Sequence, residues 1–194
     1  MRILLAGVAC VGKSTIGAGL ASLLGVPFFD LDTEVEAFYR ETIPRLQARW
    51  LTMNNYRRKA SLVLKDVLSR TDATQCVIAL PPSGLRLPYW NVVKGSGSTV
   101  VVVRDDPANI LERIVFYDDD SRPIQKELTS DEREFCLGEI KKDMRYFARS
   151  YSKADVTIRI DGLGPVEAVR KIMESLNAFP KKNEDALERE RTSS

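Results

Sequence analysis

The chain of 194 residues contains no histidine. That excludes every hydrolase built on a serine–histidine pair, every histidine metal centre and every imidazole proton shuttle. Cysteine is scarce: Cys10, Cys76 and Cys136 lie far apart, with no C-x-x-C pair. Such spacing supports neither a disulfide scaffold nor a zinc site, and it suits a reducing cytoplasm. No apolar run approaches membrane-spanning length, and Met1-Arg2 leads directly into a strand-like segment, so no signal peptide is expected. Charge of one sign does not dominate either. The 29 basic and 27 acidic residues are interspersed, which argues against nucleic acid and anionic membranes as partners. The expectation is a cytoplasmic protein, monomeric, acting on small molecules.

What is present begins at the amino terminus. Ile3-Leu4-Leu5-Ala6 reads as a buried strand, and Gly7-Val8-Ala9-Cys10-Val11-Gly12-Lys13-Ser14 follows it as G-x-x-x-x-G-K-S. Thr15 to Leu24 then reads as a helix ended by Gly25. In such a loop, glycines let backbone N–H groups turn toward phosphate oxygens, and the helix N-terminus adds its positive end. Residues Gly7 to Thr15 are therefore the candidate ATP site. Lys13 would reach the outer phosphates, and the Ser14 hydroxyl would ligate Mg²⁺.

Further strands are expected at 27–30, 76–80, 99–103 and 155–160, the last alternating enough to be an edge. Helices are expected from a capping box at Thr33/Glu36 to about Thr42, before Pro44, and over Tyr56–Leu68 with Leu62, Val63 and Val67 on one stripe. More are expected over Asn109–Tyr117, after a second capping box at Thr129/Glu132, and over Pro165–Phe179. In the fourth of these helices Phe135, Ile140, Met144, Phe147 and Tyr151 recur at helical spacing. Strand–helix alternation with one phosphate loop predicts an α/β fold, a doubly wound five-stranded parallel sheet with helices on both faces. Residues 1–179 form one domain in this reading. The charged stretch 180–194 reads as a disordered tail.

A second constellation follows the first helix. In Phe28-Phe29-Asp30-Leu31-Asp32, period-two geometry puts Asp30 and Asp32 on one side at the carboxyl end of a strand, where open α/β sheets bind ligands. One carboxylate can serve Mg²⁺ beside Ser14 while the other faces an acceptor hydroxyl. An ordinary aspartate with a pKa near 4 is a weak base, so Asp32 is expected mainly to orient that hydroxyl. Asp105, after the apolar run 100–103, is the rival metal ligand.

The combination resembles the shikimate kinase family of P-loop small-molecule kinases. It is carried by G-x-x-x-x-G-K-S-T-I-G, by Phe28 to Asp32 with Glu34-Val35-Glu36, and by Tyr56-Arg57, Leu111-Glu112-Arg113, Ser121-Arg122-Pro123-Ile124 and Ala154 to Ile158. The resemblance implies that Arg57 binds a substrate carboxylate, that Arg113 stacks on adenine, and that Arg122 belongs to a lid (about 114–128) closing on the transferring phosphoryl group. It implies an anionic acceptor, touched also by Ser83, Gly84 and Arg145. Departures from the family pattern fall in the acceptor half. Leu80-Pro81-Pro82-Ser83-Gly84 stands where the family has a triple glycine, and Ala60 stands where a glutamate would steady the arginine. Arg145 and Arg149 lack the proline that normally follows the later substrate arginine. The reading is ATP-dependent phosphoryl transfer to a hydroxyl. A changed acceptor, or a nucleotide-binding regulatory protein that has lost transfer, is the alternative. No N-K-x-D guanine motif supports a GTPase.

Overall fold

The computed structural model describes residues 1–118, 120 and 122–178; the segment expected to be a disordered tail lies outside the described residues. In chain order the elements are β1 (Arg2–Ala6), α1 (Lys13–Leu24), β2 (Phe28–Asp30), α2 (Leu31–Tyr39), α3 (Ile43–Arg49), α4 (Met53–Ser69), β3 (Cys76–Ala79) and α5 (Tyr89–Val93). They continue with β4 (Thr99–Arg104), α6 (Pro107–Leu111), β5 (Phe116–Tyr117), β6 (Pro123–Ile124), α7 (Ser130–Tyr151), β7 (Val156–Arg159) and α8 (Pro165–Asn177). The main sheet has five parallel strands in the order β2-β3-β1-β4-β7.

The central strands are apolar throughout because both faces are covered. Ile3, Leu4, Leu5 and Ala6 have no exposed surface, and Leu4 sits in register between Ile78 and Val100. β7 alternates, with Ile158 buried and Thr157 and Arg159 exposed, as an edge strand should. Right-handed crossovers fix the layers. The step from β1 to β2 runs opposite to the steps from β2 to β3, β3 to β4 and β4 to β7. This puts α1 on one face and α4, α5 and α7 on the other. Accordingly α1 packs on α8, α4 on α5, and α6 on α7. The strand order reverses at β1, so the loop after β1 opens at the crevice where such sheets take ligands.

Several boundaries differ from the sequence expectation, each for a local reason. β2 ends at Asp30, and α2 starts at Leu31 because the Asp30 carboxylate caps it, accepting from the Asp32 N–H at 3.1 Å. The Thr33/Glu36 spacing therefore falls inside the helix, and Asp32 lies in a first helical turn rather than on a strand. Pro44 does not end a helix; it opens α3 in the first turn, where its missing N–H costs nothing. On α4 the buried stripe is Tyr56, Ala60, Val63, Leu64 and Val67, whereas Leu62 is exposed. The stretch expected as a helix over 109–117 is helical only from Pro107 to Leu111. The Ile-Val-Phe-Tyr run after Arg113 then turns extended into a β5–β6 hairpin. The Thr129/Glu132 capping box forms as expected. Phe135, however, is exposed, and the buried positions of α7 are confined to its second half, at Phe147, Ser150 and Tyr151. Among the described residues no helix is long and apolar enough to cross a membrane.

Candidate active site

The loop between β1 and α1 adopts backbone angles that its glycines make accessible. Gly7 has φ +151°, and a Cβ there would lie 2.6 Å from the Val103 carbonyl oxygen. Gly12 caps α1 at φ +102°. Between them Cys10 takes a left-handed φ of 57°. Lys13, at the start of α1, is 8% exposed, and its Nζ donates to the Val8 carbonyl at 2.8 Å. The ammonium is thus folded back along the concave side of its own loop. Burial lowers its pKa to about 8, against the opposing pull of Asp32 and Asp30.

Ser14 and Asp30 meet across the gap between α1 and β2. The Ser14 hydroxyl donates to Asp30 Oδ2 at 2.5 Å, while Asp30 Oδ1 caps α2. Cap and contact together fix the carboxylate. Two turns of backbone thereby hold a hydroxyl and a carboxylate oxygen side by side, the hard oxygen donors that Mg²⁺ prefers. Among the described residues no three acidic or cysteine side chains converge as a metal cage. The donor set suits a cation that arrives with phosphate ligands of its own.

Asp32, one helical step beyond, carries the most informative shift. Burial first, then the neighbouring Asp30 carboxylate, raises its pKa to about 6, with Lys13 pulling the other way. This corrects the expectation of an ordinary aspartate: the side chain is a stronger base than its sequence context suggests.

Asp105, offered by the sequence as the rival metal ligand, is otherwise employed. Oδ1 accepts from the Asp106 N–H, Asn109 Nδ2 and the Gly162 N–H at 2.8, 2.8 and 3.0 Å, and Oδ2 accepts from Arg113 at 2.7 Å. Its side chain has no exposed surface. It ties the end of β4 to α6 and to the loop after β7. In doing so it orients Arg113, whose side chain remains partly exposed.

Tyr56 and Arg57, the pair expected from the sequence to meet an acceptor, lie in the first turn and a half of α4. Tyr56 is buried, and the Arg57 Nε is buried without a hydrogen-bond partner among the described residues. The proline-bearing loop is a folded turn. The Gly84 N–H donates to the Pro81 carbonyl and the Arg86 N–H to the Ser83 carbonyl, each at 2.8 Å. The end of α7 braces it, with the Tyr151 hydroxyl donating to the Pro82 carbonyl at 2.9 Å and Lys153 to the Leu85 carbonyl at 2.9 Å. Ser83 is buried there beside Gly84.

Two predicted residues stand apart. Arg145 is exposed on α7, and its Nε donates to the carbonyl of Lys141 in the same helix. Arg122 is exposed at the hairpin, with its backbone N–H held by the Asp118 carboxylate at 2.9 Å. Asp120 of the hairpin reaches Arg45 on α3 at 2.8 Å, so this acidic side chain pairs with a base rather than facing solvent alone. A cavity of about 350 Å³ lies under α7, lined by Val8, Val103, Asp105, Met144, Ala148 and Tyr151 among others; it is separate from Asp30, Asp32 and Arg57.

The shikimate kinase family model matches residues 9–177. A curated shikimate kinase of Aquifex aeolicus is 33% identical over 180 residues, covering 91% of this chain and 96% of that one. The crystal structure of shikimate kinase from Aquifex aeolicus superposes with a TM-score of 0.64 at 31% identity, covering 91% of this chain and 96% of that one. Shikimate kinase from Acinetobacter baumannii, solved in complex with shikimate, shares the fold with a TM-score of 0.74 at 24% identity, over 92% of this chain and 94% of that one.

Proposed function

The chain belongs to the shikimate kinase family, an ATP-dependent phosphotransferase, and on that premise we propose that it moves the γ-phosphoryl group of ATP to a hydroxyl of shikimate. One observation carries the reading. Lys13, Ser14, Asp30 and Asp32 converge at the sheet's switch point, with a buried lysine and a half-buried carboxylate of raised pKa.

In this reading Gly7 to Thr15 cradle the triphosphate, and Lys13 leaves the Val8 carbonyl to meet the outer phosphates. Ser14 and Asp30 hold Mg²⁺, which supplies charge neutralisation on the phosphates. Asp32 orients the attacking hydroxyl and accepts its proton, and a pKa about 6 lies closer to working pH than that of a free carboxylate. Arg57, with an unspent N–H, meets the carboxylate of the acceptor. Ser83 and Gly84 form the floor. Arg113, steadied by Asp105, stacks on adenine. Arg122 approaches the transferring group when the segment 114–128 closes as a lid. Arg145 enters only through the family resemblance. A single copy holds every group named, and three free cysteines suit a cytoplasmic setting.

The test is ADP formation by the purified protein with Mg·ATP, in the presence of shikimate or of other hydroxylated carboxylates, sugars and nucleoside monophosphates. Turnover with shikimate of about 1–100 s⁻¹, absent in Asp32→Asn, is the expected result. Turnover only with another acceptor overturns the shikimate assignment and marks the Pro81-Pro82 loop as a specificity change.

A further inference from the structure

The cavity of about 350 Å³ beneath α7 lies apart from Asp30, Asp32 and Arg57, and its lining divides into a floor and a rim. The floor is buried and apolar, made by Val8, Val102, Val103 and Ile110 with the ring of Tyr151. The rim is exposed, with Arg104 and Thr157 from the sheet and Ala148 and Ser152 from α7. Met144, Ala148 and Ser152 recur at i, i+4, so one stripe of α7 roofs the space. The middle residue of that stripe has no side chain beyond its Cβ. An apolar floor with a polar lip at this volume has the form of a small-molecule site. A dry cavity of about 150 Å³ already holds benzene.

The polar groups around it are nearly all spent. The Tyr151 hydroxyl donates to the Pro82 carbonyl, and the Ser152 hydroxyl donates to the Arg149 carbonyl. The Asp105 carboxylate accepts from Asp106, Asn109, Gly162 and Arg113, and its side chain has no exposed surface. Arg104 is the exception. Val102 and Thr157 are register partners, and period-two alternation puts Arg104 on their face of the sheet, where all three line the cavity. Arg104 has no acidic partner among the described residues, whereas Arg159 beside it is paired with Asp106 and Asp161. An unpaired guanidinium at the lip of an apolar floor complements a molecule with an apolar body and one anionic end.

We infer that this cavity is a second ligand site, which takes a small apolar carboxylate with its body on Val8, Val102 and Ile110 and its anion on Arg104. Met144 in the roof suits the role, because its unbranched thioether chain adapts to the shape beneath it. The site is distinct from the reaction crevice, so it does not depend on which acceptor is phosphorylated.

Methyl NMR titrations of the full chain test it, with 2-naphthoate and its uncharged analogue 2-naphthylmethanol as probes, in wild type, Arg104→Gln and Ala148→Phe. Both probes should shift the methyl resonances of Val8, Val102 and Ile110 saturably in the wild type, and the naphthoate should bind more tightly. Arg104→Gln should weaken the naphthoate by about 10-fold or more, the loss of one charge-assisted hydrogen bond, and leave the alcohol within about 2-fold. Ala148→Phe fills the space, so it should abolish binding of both probes and melt at or above the wild-type temperature. If that variant fails to fold, the Arg104→Gln comparison decides alone, since Arg104 is exposed and its replacement leaves the core intact. Absence of saturable shifts at about 1 mM probe overturns the inference. Shifts confined to other methyls overturn it too, as does naphthoate affinity unchanged in Arg104→Gln. Excess shikimate should leave the naphthoate affinity unchanged; displacement by shikimate would put the naphthoate in the acceptor site and overturn the inference.

Discussion

The Ser14 hydroxyl donates to Asp30 Oδ2 at 2.5 Å, and that same aspartate caps the helix bearing Asp32. One side chain thus couples the phosphate loop to the start of α2. Its two jobs are separable. Asp30→Asn keeps an oxygen for the cap, so stability should fall by no more than a few tenths of a kcal/mol. The loss of charge beside Ser14 should still raise the Mg²⁺ concentration needed for half-maximal turnover by about 10-fold or more. Asp30→Ala should show the same Mg²⁺ defect and also lose about 1 kcal/mol of stability. Magnesium titrations of turnover, together with urea melts, check both. An unchanged Mg²⁺ requirement in Asp30→Asn would leave Asp30 as a cap alone.

Asp32 should show opposite effects on stability and activity. Its folded pKa, about 6, lies above the ordinary aspartate value of 3.8. Its contribution to stability is therefore fully present below about pH 4 and is lost as pH rises through about 6. Asp32→Asn should accordingly melt higher than wild type at pH 8, with the gain shrinking toward pH 4. Transfer should fall by about 10²- to 10⁴-fold, the span of a general base. ATP affinity should stay close to wild type. Carboxyl NMR of the nucleotide-free protein should place the titration near pH 6, and Asp30→Asn should lower it by removing the adjacent negative charge.

Asp105 makes the opposite case. Burial works against its charge, but hydrogen bonds from Asn109, Arg113, Asp106 and Gly162 outweigh that and hold its pKa below the ordinary value. Its stabilisation is present above about pH 4 and is lost as pH falls through the depressed folded value. Asp105→Ala would leave the donors of Asn109, Asp106 and Gly162 without their acceptor and release the partly exposed Arg113, a loss of about 1–3 kcal/mol. Chemical denaturation at pH 7 should show that loss, and the difference from wild type should narrow in acid. ATP affinity should also weaken, through the misplaced Arg113.

These residues also mark how far the sequence could be read. The phosphate loop was legible because its chemistry is local: Gly7 and Gly12 need their φ angles, and Lys13 and Ser14 follow at fixed spacing. The apolar runs gave the five parallel strands for the same reason. Asp105 was not legible. The end of an apolar strand looks the same whether its carboxylate meets a metal or, as here, an arginine eight residues on and a backbone N–H beyond β7. Helix starts that depend on a choice between caps were also missed, as with Asp30 over Thr33. The burial of Tyr89 leaves no sequence signal either, because it comes from the packing of α5 on α4, which periodicity does not encode.

The proline-bearing loop gives the last prediction. Besides its internal bonds from the Gly84 N–H to the Pro81 carbonyl and the Arg86 N–H to the Ser83 carbonyl, the turn is held from outside by the Tyr151 hydroxyl on the Pro82 carbonyl and by Lys153 on the Leu85 carbonyl. Tyr151 is 8% exposed and sits at the end of α7, so the brace joins the proline-bearing loop to the helix that follows the hairpin. Tyr151→Phe removes the bond while keeping the ring stacked on Phe147, whose centroid lies 5.7 Å away. Stability should fall by about 1 kcal/mol. If the brace serves only the fold, every kinetic constant should be retained. If it fixes the floor beneath Ser83 and Gly84, the KM for the acceptor should rise several-fold while the KM for ATP stays constant. The second outcome is the one expected, because the partner lost is the carbonyl next to Ser83. Paired KM measurements for the two substrates distinguish them.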